Sequence, residues 1–498
     1  MRKIFKNCFK FLKKNKIAIT LFVIVLFGAF LRFWGLPARY GFDIDATRDA
    51  ILTQYAAAHF MWPLIGAISA LGSFNFGPWY YYQLILFQHF VPLAYAPWIY
   101  VSLTSIAVIV IMFGIGSELF SKEFGLVLAL LTAFSPGQIG AGTGLSNPDL
   151  ISLFAAFSIW LFVRLLKAKG SSLTALLLGL AIGIGINCHY QMIYFVFLPF
   201  MLFIFVKKGK LKLLLFSLFG IFLSFLPLIF FNLTHHFQTL SGLIDYYILG
   251  KNKVYVPNRW LLYLFSFWPN FWGYVFGFPS LVGLLLTGGS ILTSLILVVK
   301  RKVSLAFSIV FLFFIMCFIF LRFFSGERAN YYLLFLHPFL ILYTGVLLWQ
   351  AVRLRFGKIM LCVLLLIIVA AGFQADLVHT RPIDSHVQFV SQESFLEKLY
   401  PNKKFAIFAC DGQYKNQIQG MVFLMSNKNL LGNDVKIGFK DSHCKYPERA
   451  LSIAGIIDNQ ELDTVGAVDI THYSTGYLKS YGWTLISPAY LYTSLLGY

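Results

Sequence analysis

Three carboxylates and one guanidinium fall within seven residues at Asp43-Ile-Asp45-Ala-Thr-Arg48-Asp49. A helix starting near Asp45 sets Asp45 and Asp49 four apart on one face. Asp43 and Asp45 then flank its N-terminus, where a carboxylate caps free N–H groups. Capping in a solvated loop is the plain reading; the chemical reading is a general base, or a divalent cation held by Asp43 and Asp45. Asp149 follows Ser146-Asn147-Pro148, a helix start with Asn147 as the expected N-cap and Pro148 in the first turn. His189, in Asn187-Cys-His189-Tyr190-Gln191, joins two apolar runs with almost no loop. It either meets water there or binds a phosphate or relays a proton. Arg48, Arg259 and Arg328 are the anion-binding candidates, because a guanidinium grips phosphate oxygens bidentately; snorkelling is the alternative for Arg328. Phe74-Asn-Phe-Gly77-Pro78-Trp79-Tyr80-Tyr81-Tyr82 joins a Gly-Pro turn to an aromatic run that suits a membrane interface.

The elements around these residues are apolar. Of 498 residues, 59% are hydrophobic and 12% charged, about half the ~25% charge of soluble domains. An ordinary soluble enzyme, a disordered chain and a fibrous one are thereby excluded. Forty Lys and Arg stand against twenty Asp and Glu, a formal +20. In a soluble protein that excess would suggest nucleic acid, whereas in a membrane protein it collects in cytoplasmic loops. Apolar runs predict eleven spans near 17–36, 97–119, 123–139, 148–166, 171–188, 190–206, 212–231, 275–299, 303–324, 331–350 and 357–377. With the N-terminus inside, twenty-one basic residues fall on the inner side, opposed only by Glu118 and Glu123. The charge therefore reads as an orientation signal, and no nucleic-acid partner is expected.

Two stretches, Trp79–Phe90 and Arg259–Gly273, read as helices lying in the outer interface; counting the first as a span would invert everything after it. The outer side then holds a long first loop (37–96), a second loop (232–274) and a tail (378–498). Outside the tail it carries six acidic residues: Asp43, Asp45, Asp49, Asp149, Asp245 and Glu327. Half of them sit in the first cluster. The tail is more polar, with strands expected near 404–410, 450–457 and 463–469 and a helix near 417–425, a small α/β domain. None of the six cysteines forms a CxxC pair, so neither a zinc nor a redox motif is expected. Cys410 and Cys444 would face an oxidising compartment, where a disulfide and two free thiols are both open.

The ordered set Asp43-Ile-Asp45-Ala-Thr-Arg48-Asp49-Ala50, Phe76-Gly-Pro-Trp-Tyr-Tyr-Tyr82, Ser146-Asn-Pro-Asp149, His189-Tyr-Gln191 and Asn330-Tyr-Tyr332 resembles the GT-C glycosyltransferases. Within them it is most similar to the dolichyl-phosphate-mannose protein mannosyltransferase-like group, which includes the aminoarabinose transferase. The resemblance covers residues 1–377 in order and sidedness. It implies an all-α polytopic fold with a small extracytoplasmic α/β domain (378–498) in the plasma membrane. It implies transfer of a sugar, with inversion, from a polyprenyl-phosphate donor to a glycan, lipid or protein acceptor on the outer face. Asp45 is the implied base, Asp43 its partner or the base itself, and Asp149 an accessory carboxylate. Arg48, Asp49, Tyr81, Tyr82, Asn147, His189, Arg259, Arg328 and Tyr331 are the implied substrate contacts. Ile44-Asp45 stands where many members carry Asp-Glu, which leaves the choice between Asp43 and Asp45 open. No cofactor is required, and a divalent metal at Asp43 and Asp45 stays open. A transporter or flippase is the alternative, although no internal repeat is visible and charges avoid the span centres.

Overall fold

The computed structural model describes residues 15–36, 39, 43–70, 72–250, 259–324, 326–352, 357–379, 384–410, 418–439, 451–452, 455–457, 460–462, 467–480 and 482–496. The basic tail before Asn15, Lys251, Lys253 and the Cys410–Cys444 pairing lie outside the described residues or side chains.

Helices occupy all eleven expected span positions. Seven of them are long and apolar enough to cross a bilayer alone, among them Lys16–Phe33, Ala96–Leu119, Lys210–Thr234 and Leu305–Phe323. Ser172–Cys188 and Tyr190–Phe205 are shorter. Trp79–Phe90 has 12 residues, about 18 Å at 1.5 Å per residue, well short of a ~30 Å hydrocarbon core. Trp260–Phe276 is helical throughout, with a π-helical turn at Tyr263–Phe267 between Trp260–Leu262 and Trp268–Phe276.

The expected span 123–139 is corrected to two helices, Lys122–Phe134 and Pro136–Thr143, bent by 57°. Pro136 has no N–H and disfavours helix at the residue before it, so carbonyls at the end of the first helix lose their partners. Arg32, fully buried on Lys16–Phe33, supplies replacements. It donates to Ala133 O at 3.1 Å, Thr132 O at 3.4 Å and Ser105 Oγ at 2.7 Å. Ser102 Oγ donates to Gly142 O, fastening the second half onto Ala96–Leu119.

Lipid tails are as apolar as leucine, so membrane helices associate through close packing of small residues. Ser172–Cys188 and Lys210–Thr234 illustrate it. A Cβ on Gly179 would stand 1.9 Å from Ser217 O, and one on Gly183 1.8 Å from Ser224 Oγ. These two backbones lie too close for any larger residue at either glycine.

The tail forms a five-stranded sheet in the order β3-β6-β2-β1-β7. β1 (Phe405–Cys410) and β2 (Val435–Phe439) are parallel, joined by the helix Gln419–Asn427. β7 (Trp483–Leu485) runs antiparallel to β1, β6 (Ala467–Asp469) to β2, and β3 (Leu451–Ser452) to β6. β4 (Gly455–Ile457) and β5 (Gln460–Leu462) pair separately. The helices Gln419–Asn427 and Pro488–Leu496 pack on the first-loop helix Ile44–His59. Phe423 meets the rings of Tyr95 and Trp98 at 6.0 and 5.6 Å.

Candidate active site

The carboxylate cluster lies on the first two turns of the helix Ile44–His59. Asp43 is its N-cap, its Oδ1 accepting from Ala46 N at 2.7 Å. Arg48 then bridges the other two carboxylates, through Nη1 to Asp45 Oδ1 at 2.6 Å and through Nε to Asp49 Oδ1 at 2.7 Å. Asp49 is fully buried and also accepts from Tyr81 Oη at 2.7 Å, whereas the Asp45 side chain is 61% exposed. Burial works against the Arg48 cation, but Asp49, Tyr81 and Asp45 outweigh it and hold its pKa well above the usual value. Burial raises the Asp49 pKa, with Arg48 and Tyr81 opposing. Asp43 opens onto solvent yet is ringed by protein. That desolvation raises its pKa, Ala46 N opposes, and the charges of Asp45 and Asp49 add to the rise.

Asp43, Asp45 and Arg48 line one wall of a cavity of about 590 Å³. The opposite wall comes from distant segments: Asn147, His189, Glu327, Tyr331 and Tyr332, with Tyr246 and Tyr247 from the second outer loop. A hairpin-like turn over 66–76 makes another side, joined by Gly66 N to Phe76 O at 2.8 Å and Ser69 N to Phe74 O at 2.9 Å. Gly77 N donates to Asn187 O at 3.0 Å, and a Cβ on Gly77 would stand 1.5 Å from Asn187 Oδ1. A glycine is required there. Tyr190 Oη donates to Asn75 O at 2.8 Å, so the hairpin is locked to the junction of two membrane helices.

His189 sits at that junction, stacked between Phe76 at 5.0 Å and Tyr332 at 4.6 Å. Its Nδ1 accepts from Gln191 N at 3.4 Å, which assigns the neutral tautomer with its proton on Nε2. Gln191 Nε2 in turn donates to Glu327 O.

Asn147 is not the N-cap. Ser146 is, because Asp149 Oδ2 accepts from Ser146 N and Oγ, both at 2.9 Å, closing a capping box. That frees the Asn147 amide to donate to Cys188 O at 2.6 Å. Asp149 lines an adjoining chamber of about 370 Å³ with Tyr274, and Tyr331 is common to both spaces.

Several expected contacts lie elsewhere. Tyr81 is under the cavity floor on Asp49. Tyr82 packs with Trp62 and Trp79. Arg259 is exposed at a helix start and away from the cavity. Arg328 is turned into an aromatic pocket, over the rings of Tyr263 and Phe267, and donates to Arg322 O and Phe324 O. Its guanidinium binds backbone and rings because those partners lie within reach inside the bundle. Tyr246 and Tyr247 were not singled out from sequence; the only signal was an aromatic pair directly after Asp245.

A divalent cation shared by Asp45 and Asp49 does not fit this arrangement. Arg48 occupies the space between Asp45 and Asp49, and among the described residues no three His, Cys, Asp or Glu converge as metal ligands.

A family model for dolichyl-phosphate-mannose-protein mannosyltransferase matches residues 91–232. No curated protein sequence matches the chain significantly. Among solved structures, ArnT from Cupriavidus metallidurans bound to undecaprenyl phosphate superposes with a TM-score of 0.60 at 12% identity, over 86% of this chain and 94% of that one. Its apo state gives 0.57 at 10% identity, over 92% and 98%. The archaeal oligosaccharyltransferase AglB from Archaeoglobus fulgidus, in complex with an inhibitory peptide and a dolichol-phosphate, gives 0.54 at 11% identity over 83% of this chain. This chain spans 64% of that longer protein. Its multi-pass helices and small sheet thus have the GT-C membrane fold.

Proposed function

We propose that the chain is an integral membrane glycosyltransferase that moves a sugar from a polyprenyl-phosphate donor to an acceptor hydroxyl on the outer face. The observation that carries this reading is the placement of Asp43 and Asp45, immediately after the first span, at the wall of a cavity in a fold shared with the undecaprenyl-phosphate complex of ArnT. The basic inner clusters support a cytoplasmic N-terminus, with the C-terminal sheet module (378–498) outside.

Asp43 takes the role of base. It faces the cavity, its basicity is raised by desolvation and by two neighbouring carboxylates, and its Oδ1 is held by the helix N-terminus. Asp45 is committed to Arg48 and orients the donor or acceptor beside it. The acceptor oxygen attacks the anomeric carbon while its proton passes to Asp43. The bond from that carbon to the phosphate oxygen breaks with its electron pair on the phosphate, inverting the centre. A lipid phosphate is a good leaving group and needs charge stabilisation more than a general acid. His189 Nε2–H and the hydroxyls of Tyr331 and Tyr332 are the donors at the wall, and Arg48 is its cation. Asp149 acts from the adjoining chamber as an accessory carboxylate.

The test is transfer from radiolabelled polyprenyl-phosphate sugars, offered as a panel, to an envelope extract by purified protein. Asp43→Asn should cut labelling by about 10²–10⁴ and Asp45→Asn should weaken it less. Undiminished transfer by both variants would sink the assignment. ATP-independent movement of the lipid across proteoliposomes without sugar transfer would point to a flippase instead.

A further inference from the structure

A second cleft, of about 450 Å³, opens where the sheet module rests on the first-loop helix. That volume is within the ~300–1,000 Å³ range of small-molecule sites. Its polar lining joins three primary amides to the side chains of Tyr55, His59, Ser426 and Ser487. Gln54 comes from the helix Ile44–His59, Gln88 from Trp79–Phe90 and Asn427 from the sheet module. Among the described residues, no Lys, Arg, Asp or Glu lines it. Gln54 and Asn427 meet across the cleft in two long contacts, Nε2 to Oδ1 at 3.3 Å and Nδ2 to Oε1 at 3.4 Å. Hydrogen bonds of that length are weak, so hydroxyls can replace them at little cost. Gln88 is more than nine-tenths buried and gives its Nε2 to Leu93 O at 3.2 Å, while its Oε1 has no partner. A buried acceptor left unsatisfied is costly, and this one belongs to a residue of the cleft wall. Tyr55 adds an aromatic ring, tilted against His59 at 4.2 Å and Tyr492 at 5.4 Å.

We propose that this cleft is a subsite for an uncharged sugar unit of the acceptor, held between the first outer loop and the sheet module; this rests on the glycosyltransferase reading above. Amides both donate and accept, which matches vicinal hydroxyls, and an aromatic face packs against the apolar side of a sugar ring. The lack of fixed charge selects against phosphorylated or acidic units, which need a cation. Gln54 lies eleven residues beyond Asp43, the cap of the same helix, about 17 Å along its axis. The subsite therefore reads the acceptor a few units away from the reacting hydroxyl, and it is incomplete without Asn427.

The experiment measures binding of neutral hexose oligosaccharides of one to four units to the full chain in nanodiscs by saturation-transfer NMR. Ala58→Trp fills the cleft from an exposed position on its rim, and the double variant Gln54→Ala/Asn427→Ala removes the amides. Wild type should bind the longer probes more tightly than the monosaccharide, and both variants should weaken that binding at least tenfold. A negatively charged oligosaccharide should bind no better than the monosaccharide. Equal binding by wild type and Ala58→Trp, or preference for the charged probe, would overturn the subsite. Asp43→Asn separates the two readings, since it should stop transfer yet retain probe binding. If transfer survives Asp43→Asn while Ala58→Trp still loses the probe, the catalytic assignment fails and the sugar site stands.

Discussion

Replacing Arg48 by methionine removes the cation between Asp45 and Asp49 while keeping most of the side-chain volume. Asp49 is fully buried, and Arg48 Nε and Tyr81 Oη, each at 2.7 Å, donate to the same oxygen. Breaking a buried pair from one side leaves an uncompensated charge and costs about 3–5 kcal/mol, more than a hundredfold in an unfolding equilibrium. Neutralising the stranded partner removes most of that cost. Arg48→Met/Asp49→Asn should therefore be more stable than Arg48→Met alone, with a coupling of roughly 2 kcal/mol, within the range for residues in one network. Tyr81→Phe, which loses a single donor, should cost only about 1–3 kcal/mol. Denaturation of purified protein in bicelles, followed by tryptophan fluorescence, gives the full cycle. Should the double variant prove no more stable than Arg48→Met, the buried Asp49 charge is not what Arg48 compensates, and the reasoning fails.

Asp43→Asn should lower the rate of transfer by about 10²–10⁴, the usual contribution of a positioned base, measured as kcat with labelled donor. The base must be ionised to accept a proton, and desolvation raises the Asp43 pKa. Activity should therefore fall as pH drops through that raised value, giving an acid limb above the range of an ordinary aspartate; a limb at the ordinary position would count against Asp43. Gly77→Ala should disorder the 66–76 hairpin, because its Cβ would collide with Asn187, and limited proteolysis at the hairpin tip should accelerate. Arg32→Met should cost about 1–3 kcal/mol for each carbonyl left without a donor at the Pro136 break, readable as a lowered midpoint in the same denaturation assay.

The spans were legible because burial in lipid demands long apolar runs and satisfied backbones, and the first tail strand because a short apolar run ends at Asp411-Gly412. The carboxylate cluster was legible through scarcity, with Asp43, Asp45 and Asp49 making half of the acidic residues expected outside the membrane beyond the tail. The break at Pro136 was missed because a proline near a span end is tolerated as often as it interrupts. What made the break stable was Arg32, a residue about a hundred positions away. Residue type alone makes Arg328 either an anion clamp or a snorkelling cation, yet in the structure it lies over the rings of Tyr263 and Phe267.

Local chemistry thus settled the membrane class, a carboxylate cap at Asp43 or Asp45 and the helix that aligns Asp45 with Asp49, since these depend on hydropathy and on residues three or four apart; the structure put the cap at Asp43. Tertiary structure alone decided which groups share the cavity. His189 shares the cavity with Asp43 beside a hairpin over 66–76 that is bonded to the helix junction at Cys188–Tyr190 through Gly77 and Tyr190, and Tyr246, Tyr331 and Tyr332 line the same space from distant segments. Contacts between residues a hundred or more positions apart are set by packing and by the need to pair every buried polar group, and a linear pattern of side chains does not encode which partner wins.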